Sequence, residues 1–130
     1  MQLSYKDTSN FLLGLLILIR KDNFIHQNER DLMVEFGEYL GFEKDIYKPV
    51  VDGFLSKKKI NGTPPKFSSE QITFHFLEEA IKMAFVDDYF HVAELKWLNE
   101  VAKSNNISKA EVKTRIDKYL EMYPEKKSSL

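Results

Sequence analysis

The chain has no cysteine, which excludes disulfides, thiolate metal sites and cysteine nucleophiles. It also has no excess of one charge. Lys plus Arg number 19 and Asp plus Glu 20, for a formal net charge of −1, too balanced to hold a polyanion or an anionic membrane surface by a global field. Only five glycines occur in 130 residues. A glycine-rich phosphate loop has little material, and neither a Gly-x-Ser-x-Gly elbow nor a His-Glu-x-x-His zinc helix is spelled. An enzyme of conventional type is not expected. The longest apolar run, FLLGLLILI from Phe11 to Ile19, is far short of the ~20 residues that cross a bilayer. It lacks a basic leader and a small-residue cleavage site, so no membrane insertion and a cytoplasmic location are expected.

What is present is a helical pattern. Apolar residues recur at the 3.6-residue period almost throughout, and alternation at period two is nearly absent. Thr8 to Lys21 reads as a helix apolar on nearly every side, hence central. Gln27 to Leu40 follows, with Gly41 as its left-handed stop and Phe42 as the accompanying apolar contact. A weaker helix spans Asp45 to Lys57, where Pro49 must lie in the first turn or break it. KKKINGTPPKF, from Lys57 to Phe67, is a connector. Ser68 with Gln71, and Ser108 with Glu111, spell capping boxes for two further helices. The first of these runs to Val86, and Ala93 to Asn105 fills the space between the two. The expectation is a single all-α domain of six or seven helices, with halves at 8–56 and 68–121, a connector at 57–67 and a loose tail at 124–130.

Two stretches carry one polar phrase: DNFIHQNE from Asp22 and DDYFHVAE from Asp87. Sliding the chain by 65 positions aligns its halves without a gap. Phe11 then meets Phe76, Asp22 meets Asp87, His26 meets His91, and Glu29 meets Glu94. Gly41 meets Asn106, the residue second best suited to a left-handed stop. Two helical hairpins about an approximate twofold axis explain this pattern, with FLLGLLILI and the helix from Ser68 at the centre.

The phrase has two physical readings. Asp22 and Asp87 end helices at the negative pole of the dipole, which costs roughly 0.3–1 kcal/mol. In the local reading, the Asp accepts backbone N–H groups of the turn and Asn23 or Asp88 takes a left-handed place. His26 or His91 is then the N-cap, and Glu29 or Glu94 stands at the third helical position. In the ligand reading, Asp22, Glu29, Asp87 and Glu94 gather around a cation. Oxygen ligands alone favour calcium or magnesium; His26, His91 and Asp88 are further candidate ligands, and the histidines would shift the choice to zinc or manganese.

IRKDNFIHQNERDLM and AFVDDYFHVAELKWL resemble the doubled corner of the TerB-like family of tellurite-resistance and co-chaperone domains, over roughly Thr8 to Leu120. There an apolar helix ends in Ala-x-x-Asp-Gly and a Glu opens the next helix. The resemblance implies an all-helical fold of about seven helices with an internal twofold. It also implies an acidic metal-binding cluster at Asp22, Glu29, Asp87 and Glu94, and a role as an interaction module in stress response. This chain departs from the pattern in placing Asn23 or Asp88 after the Asp, and His26 or His91 at the cap.

The remaining signals are weaker. Lys57 to Lys59 read as a solvated connector, with no aromatic interleaving to suggest nucleic acid. His75 lies outside the repeat and has Glu79 as a candidate partner. Phe74, Tyr89 and Phe90 are either core and turn residues or an exposed aromatic patch. The expected function is a non-catalytic module that binds a divalent cation through the repeated corner and docks a protein partner, a second copy being one arrangement open to it. A purely structural interaction domain is the alternative, and a metal-dependent hydrolase the third reading.

Overall fold

The computed structural model describes residues 3–21, 29–55, 62–85 and 90–129, with the side chains of 29, 30, 32, 54, 55 and 127–129 excepted. The fold is all-α, and no strand occurs among the described residues. Among the described residues six α-helices follow in order: α1 Tyr5–Arg20, α2 Glu29–Tyr39, α3 Lys44–Leu55, α4 Glu70–Ala84, α5 Val92–Ser104 and α6 Lys109–Met122. A 3-10 helix, Pro124–Ser129, packs on α6 where a loose tail was expected.

Serine caps set three of the helix starts. Ser4, Ser69 and Ser108 each take an extended backbone, and each hydroxyl accepts the N–H three residues on, at 3.1 Å from Asp7, Ile72 and Glu111. This satisfies one of the orphan donors of each first turn. Because Ser4 caps, α1 begins three residues before Thr8. The expected capping box at Ser68 and Gln71 does not form; Ser69 is the cap. Ser68 is held instead by Asp7, whose Oδ1 accepts its N–H at 2.9 Å and whose Oδ2 accepts its hydroxyl. Asp7 is 3% exposed, and these bonds tie the start of α4 to the first turn of α1.

Pro49 neither opens nor breaks α3 but lies in its second turn. It leaves one intrahelical bond unmade, a loss offset by the neighbouring Tyr47, Val50 and Val51, all buried. The stops at Gly41 (φ +73°) and Asn106 (φ +60°) are both left-handed. After each, the next N–H returns to the carbonyl five residues back, Phe42 to Gly37 at 2.9 Å and Ile107 to Ala102 at 2.8 Å. That is the bond of a Schellman stop.

The core is built around α1 and α4, which touch each other. α1 also meets α2, α3 and α5, while α4 meets α5 and α6. Phe11, Leu12, Leu15, Leu16 and Leu18 on α1 are fully buried, as are Phe76, Leu77 and Ala80 on α4. Full burial of one such Leu or Phe contributes roughly 1.5–3 kcal/mol. Gly14 lets α4 approach closely: a Cβ there would lie 2.8 Å from two ring carbons of Phe76. The Gly14 carbonyl accepts the indole N–H of Trp97 at 3.1 Å, which fixes α5 to α1. The connector is held by two asparagines. Asn105 accepts the N–H of Phe67 at 2.8 Å and donates to the Pro65 carbonyl at 2.9 Å, and Asn10 donates to the Lys66 carbonyl at 2.8 Å.

Candidate functional site

Of the seven residues expected to form a metal site, Asp22, His26, Asp87 and Asp88 lie outside the described residues, as does the turn geometry expected of them. Glu29 is the first residue of α2, with its side chain outside the description. His91 and Glu94 are placed. His91 is the N-cap of α5 with φ −79° and ψ 146°, and Glu94 stands at the third helical position. The Glu94 carboxylate turns back, and its Oε1 accepts the His91 N–H at 3.0 Å. Glu94 is 3% exposed, whereas His91 is half-buried. A carboxylate in the first turn also faces the positive pole of α5, which favours its charge.

Phe90, directly before the cap, is buried with its ring 4.8 Å from that of Phe85, the C-cap of α4. This tilted ring contact joins the end of α4 to the start of α5. Trp97, one turn beyond Glu94, faces Lys21, whose Nζ lies 5.9 Å from the ring centroid. Lys21 is the C-cap of α1 and immediately precedes Asp22. The end of α1 therefore lies beside the first half of α5. Among the described residues, no three His, Asp or Glu side chains come together as a metal-ligating set.

The aromatic signals separate. Phe74 is half-buried against the core with the Arg115 guanidinium 4.0 Å above its ring, and Phe90 is core; Tyr89 lies outside the description. Phe74 and Phe90 thus do not form an exposed patch. His75 packs 5.2 Å from the Phe11 ring, while its expected partner Glu79 pairs with Lys82 at 3.3 Å. Trp97 is core, as its place on the apolar stripe required. The lysines at 57–59 lie outside the description.

A surface groove of about 310 Å³ runs between α4 and α6, lined by Glu78, Lys82, Arg115, Lys118, Tyr119 and Met122 among others. Arg115 bonds Glu78 at 2.6 Å across it. Burial raises the Tyr119 hydroxyl above its ordinary pKa, with Tyr123 and Glu125 adding to the rise and Lys126 and Lys82 opposing it. At Lys82 burial pulls the pKa down, but attraction to Glu79 and the hydrogen bond Lys82 donates to its carboxylate outweigh it and leave the group raised.

Asp7 and Asn105 are the polar residues that sequence reasoning missed. Ser4-x-x-Asp7 is a visible capping signal, but nothing local announces that Asp7 reaches Ser68 or that Asn105 holds Pro65. No helix among the described residues is long and apolar enough to cross a membrane. Comparison of the chain with protein-family models, with curated proteins and with solved structures finds no match.

Proposed function

We propose that this chain is a non-catalytic, cytoplasmic helical module that docks a protein partner, built from two related corners whose polar phrase serves chiefly to join helices. The observation that carries the second part is the Glu94 carboxylate on the His91 N–H at 3.0 Å. It gives the repeated Glu a structural task that needs no ligand. The docking part is supported by the groove along α5, where the exposed apolar side chains of Val92 and Leu95 lie together.

An internal duplication is part of the proposal. The bounds of α4 lie 65 residues beyond those of α1 to within a residue; α5 ends, and α6 begins, 65 residues beyond α2 and α3. Ser4 and Ser69, and Gly41 and Asn106, fall on the same offset with the same roles. The TerB-like resemblance, and with it a part in stress response, rests on the doubled Asp–Glu corner and this arrangement.

One observation favours a second reading, in which the corners share a divalent cation. Lys21, the residue before Asp22, reaches with its Nζ to 5.9 Å from the ring of Trp97, which stands one turn after Glu94 on α5. A carboxylate offers several lone-pair sites, so a cap and a ligand bond are compatible in Glu94. Asp22, Glu29 and Asp87 would complete such a site, with Asp88 as a further oxygen ligand and calcium or magnesium as the ion, or zinc or manganese if His26 and His91 joined.

Thermal melting after chelation, with each of these four cations added in turn, separates the readings. A cation at a hundred times its Kd adds ~2.7 kcal/mol of stability, which moves the midpoint by several degrees. The structural reading predicts no shift with any ion. A shift that is lost in Asp22→Asn and Asp87→Asn would establish the cation, and phosphatase or esterase turnover by the loaded protein would establish a hydrolase.

A further inference from the structure

A groove of about 610 Å³ runs between α5 and the start of α6. Its apolar part is Val92, 84% exposed, with Leu95 and Ile107. Its rim carries Lys96, Lys103 and Lys109, all exposed, against the single acid Glu100. None of the three lysines makes an ion pair among the described residues. An apolar floor with an unneutralised basic rim calls for an acidic partner with an apolar anchor.

The same molecule carries such a surface. On α2, Asp31, Glu35 and Glu38 stand at i, i+4 and i+7 and are all exposed. They form one face of the helix. They too make no ion pair among the described residues. Tyr39, 70% exposed, ends that stripe. From Asp31 to Glu38 is seven residues, as from Lys96 to Lys103, so each charged face is ~10.5 Å long. Sixty-five residues separate Asp31 from Lys96 and Glu38 from Lys103. At these two places the halves carry opposite charges, while between them Glu35 and Glu100 are both acidic.

We infer that this protein self-associates head to tail, the acidic α2 face of one copy docking on the α5–α6 groove of the next. Asp31 and Glu38 neutralise Lys103 and Lys96 with the two helices antiparallel, which sets Tyr39, beside Glu38, over Val92 and Leu95 at the start of α5. Aromatic anchors of this kind carry a large share of interface energy. The contact joins two different surfaces, so it builds open chains of molecules or a ring, according to the rotation between neighbours. This inference rests on the docking part of the reading above and names the partner; no cation takes part in it.

Sedimentation velocity in EDTA at low ionic strength, over rising protein concentration, tests it. The wild type is expected to grow beyond the 15.3 kDa monomer and to return to it at high salt, where screening shortens charge interactions to a few ångström. Two double reversals, Lys96→Glu with Lys103→Glu and Asp31→Lys with Glu38→Lys, should each be monomeric alone. Mixed in equal amounts they should associate again, because each then presents what the other lacks. Tyr39→Ser should weaken association while its thermal midpoint stays within a degree or so of the wild type. A wild type that remains at 15.3 kDa throughout overturns self-association but leaves docking of another partner standing. Association unaffected by the reversals, or not restored by mixing them, also overturns it.

Discussion

Phe11 and Phe76 meet edge to face, ring centroids 5.3 Å apart and planes at 86°, and both are fully buried. They are also the aligned phenylalanines of the two halves. Under the proposed duplication, residues matched by a twofold touch only where its axis passes between them, and this contact is where α1 and α4 would exchange. A double-mutant cycle with Phe11→Leu and Phe76→Leu should give a coupling of about 0.5–1.5 kcal/mol beyond the two single losses. Additive losses would mean that the rings fill space without recognising each other. Denaturant unfolding followed by fluorescence of Trp97, the only tryptophan, measures all four proteins.

Two glycines in helices should respond in opposite directions. At Gly14 a methyl group meets the buried Phe76 ring at 2.8 Å, a ring that Phe11 and Phe67 hold in place. Overpacking of this kind costs ~1–3 kcal/mol, more than the ~1 kcal/mol alanine returns in helix propensity. Gly14→Ala should therefore lower the thermal midpoint. At Gly53 a Cβ meets nothing within 4 Å, so Gly53→Ala in α3 should raise stability by ~0.5–1 kcal/mol.

The two left-handed stops make a reciprocal pair. Gly41 has φ +73° and open space around it, so Gly41→Ala is opposed by backbone strain alone, ~1–2 kcal/mol. Asn106, at φ +60°, already bears part of that strain. Asn106→Gly should be neutral or stabilising by a few tenths of a kcal/mol. Thermal melts of the two variants under one condition check both signs.

Alkaline pH should weaken the fold through Tyr119 and Lys82. Both bind their protons more tightly in the folded chain than their ordinary values of 10.0 and 10.5 imply. The unfolded chain therefore releases protons first as pH rises. The stability they contribute is whole below about pH 10 and declines through their raised folded pKa values. The part due to Lys82 is small, because its side chain is half exposed and screened. Tyr119→Phe should flatten the fall in melting midpoint between about pH 9 and about pH 11.5.

The features legible in the sequence are those with a local cause. Ser108 as a cap, Gly41 and Asn106 as stops, and His91 with Glu94 opening α5 each follow from a few neighbouring residues and the needs of a helix end. The central place of FLLGLLILI follows from its being apolar all round. Features that depend on distant partners were not legible. Ser68 and Ser69 spell equally good caps, and the choice between them is made by Asp7, 61 residues away. Pro49 inside α3 is carried by tertiary burial of its neighbours, which a local rule does not weigh. Asn105 looks like an ordinary helix end until Pro65 and Phe67 lie beside it. For the site itself, the spacing placed Glu94 correctly at the third helical position, but a carboxylate there serves a cap and a cation alike.

Replacing Glu94 in two ways tests the structural corner most directly. Glu94→Gln keeps an oxygen acceptor for the His91 N–H and removes the charge; Glu94→Ala removes both. In chelator, the account predicts Glu94→Gln within about 0.5 kcal/mol of the wild type and Glu94→Ala lower by about 1 kcal/mol or more. It also predicts that calcium, magnesium, zinc and manganese leave all three midpoints unchanged. A cation that raises the wild-type midpoint by several degrees and does nothing for Glu94→Gln would contradict it.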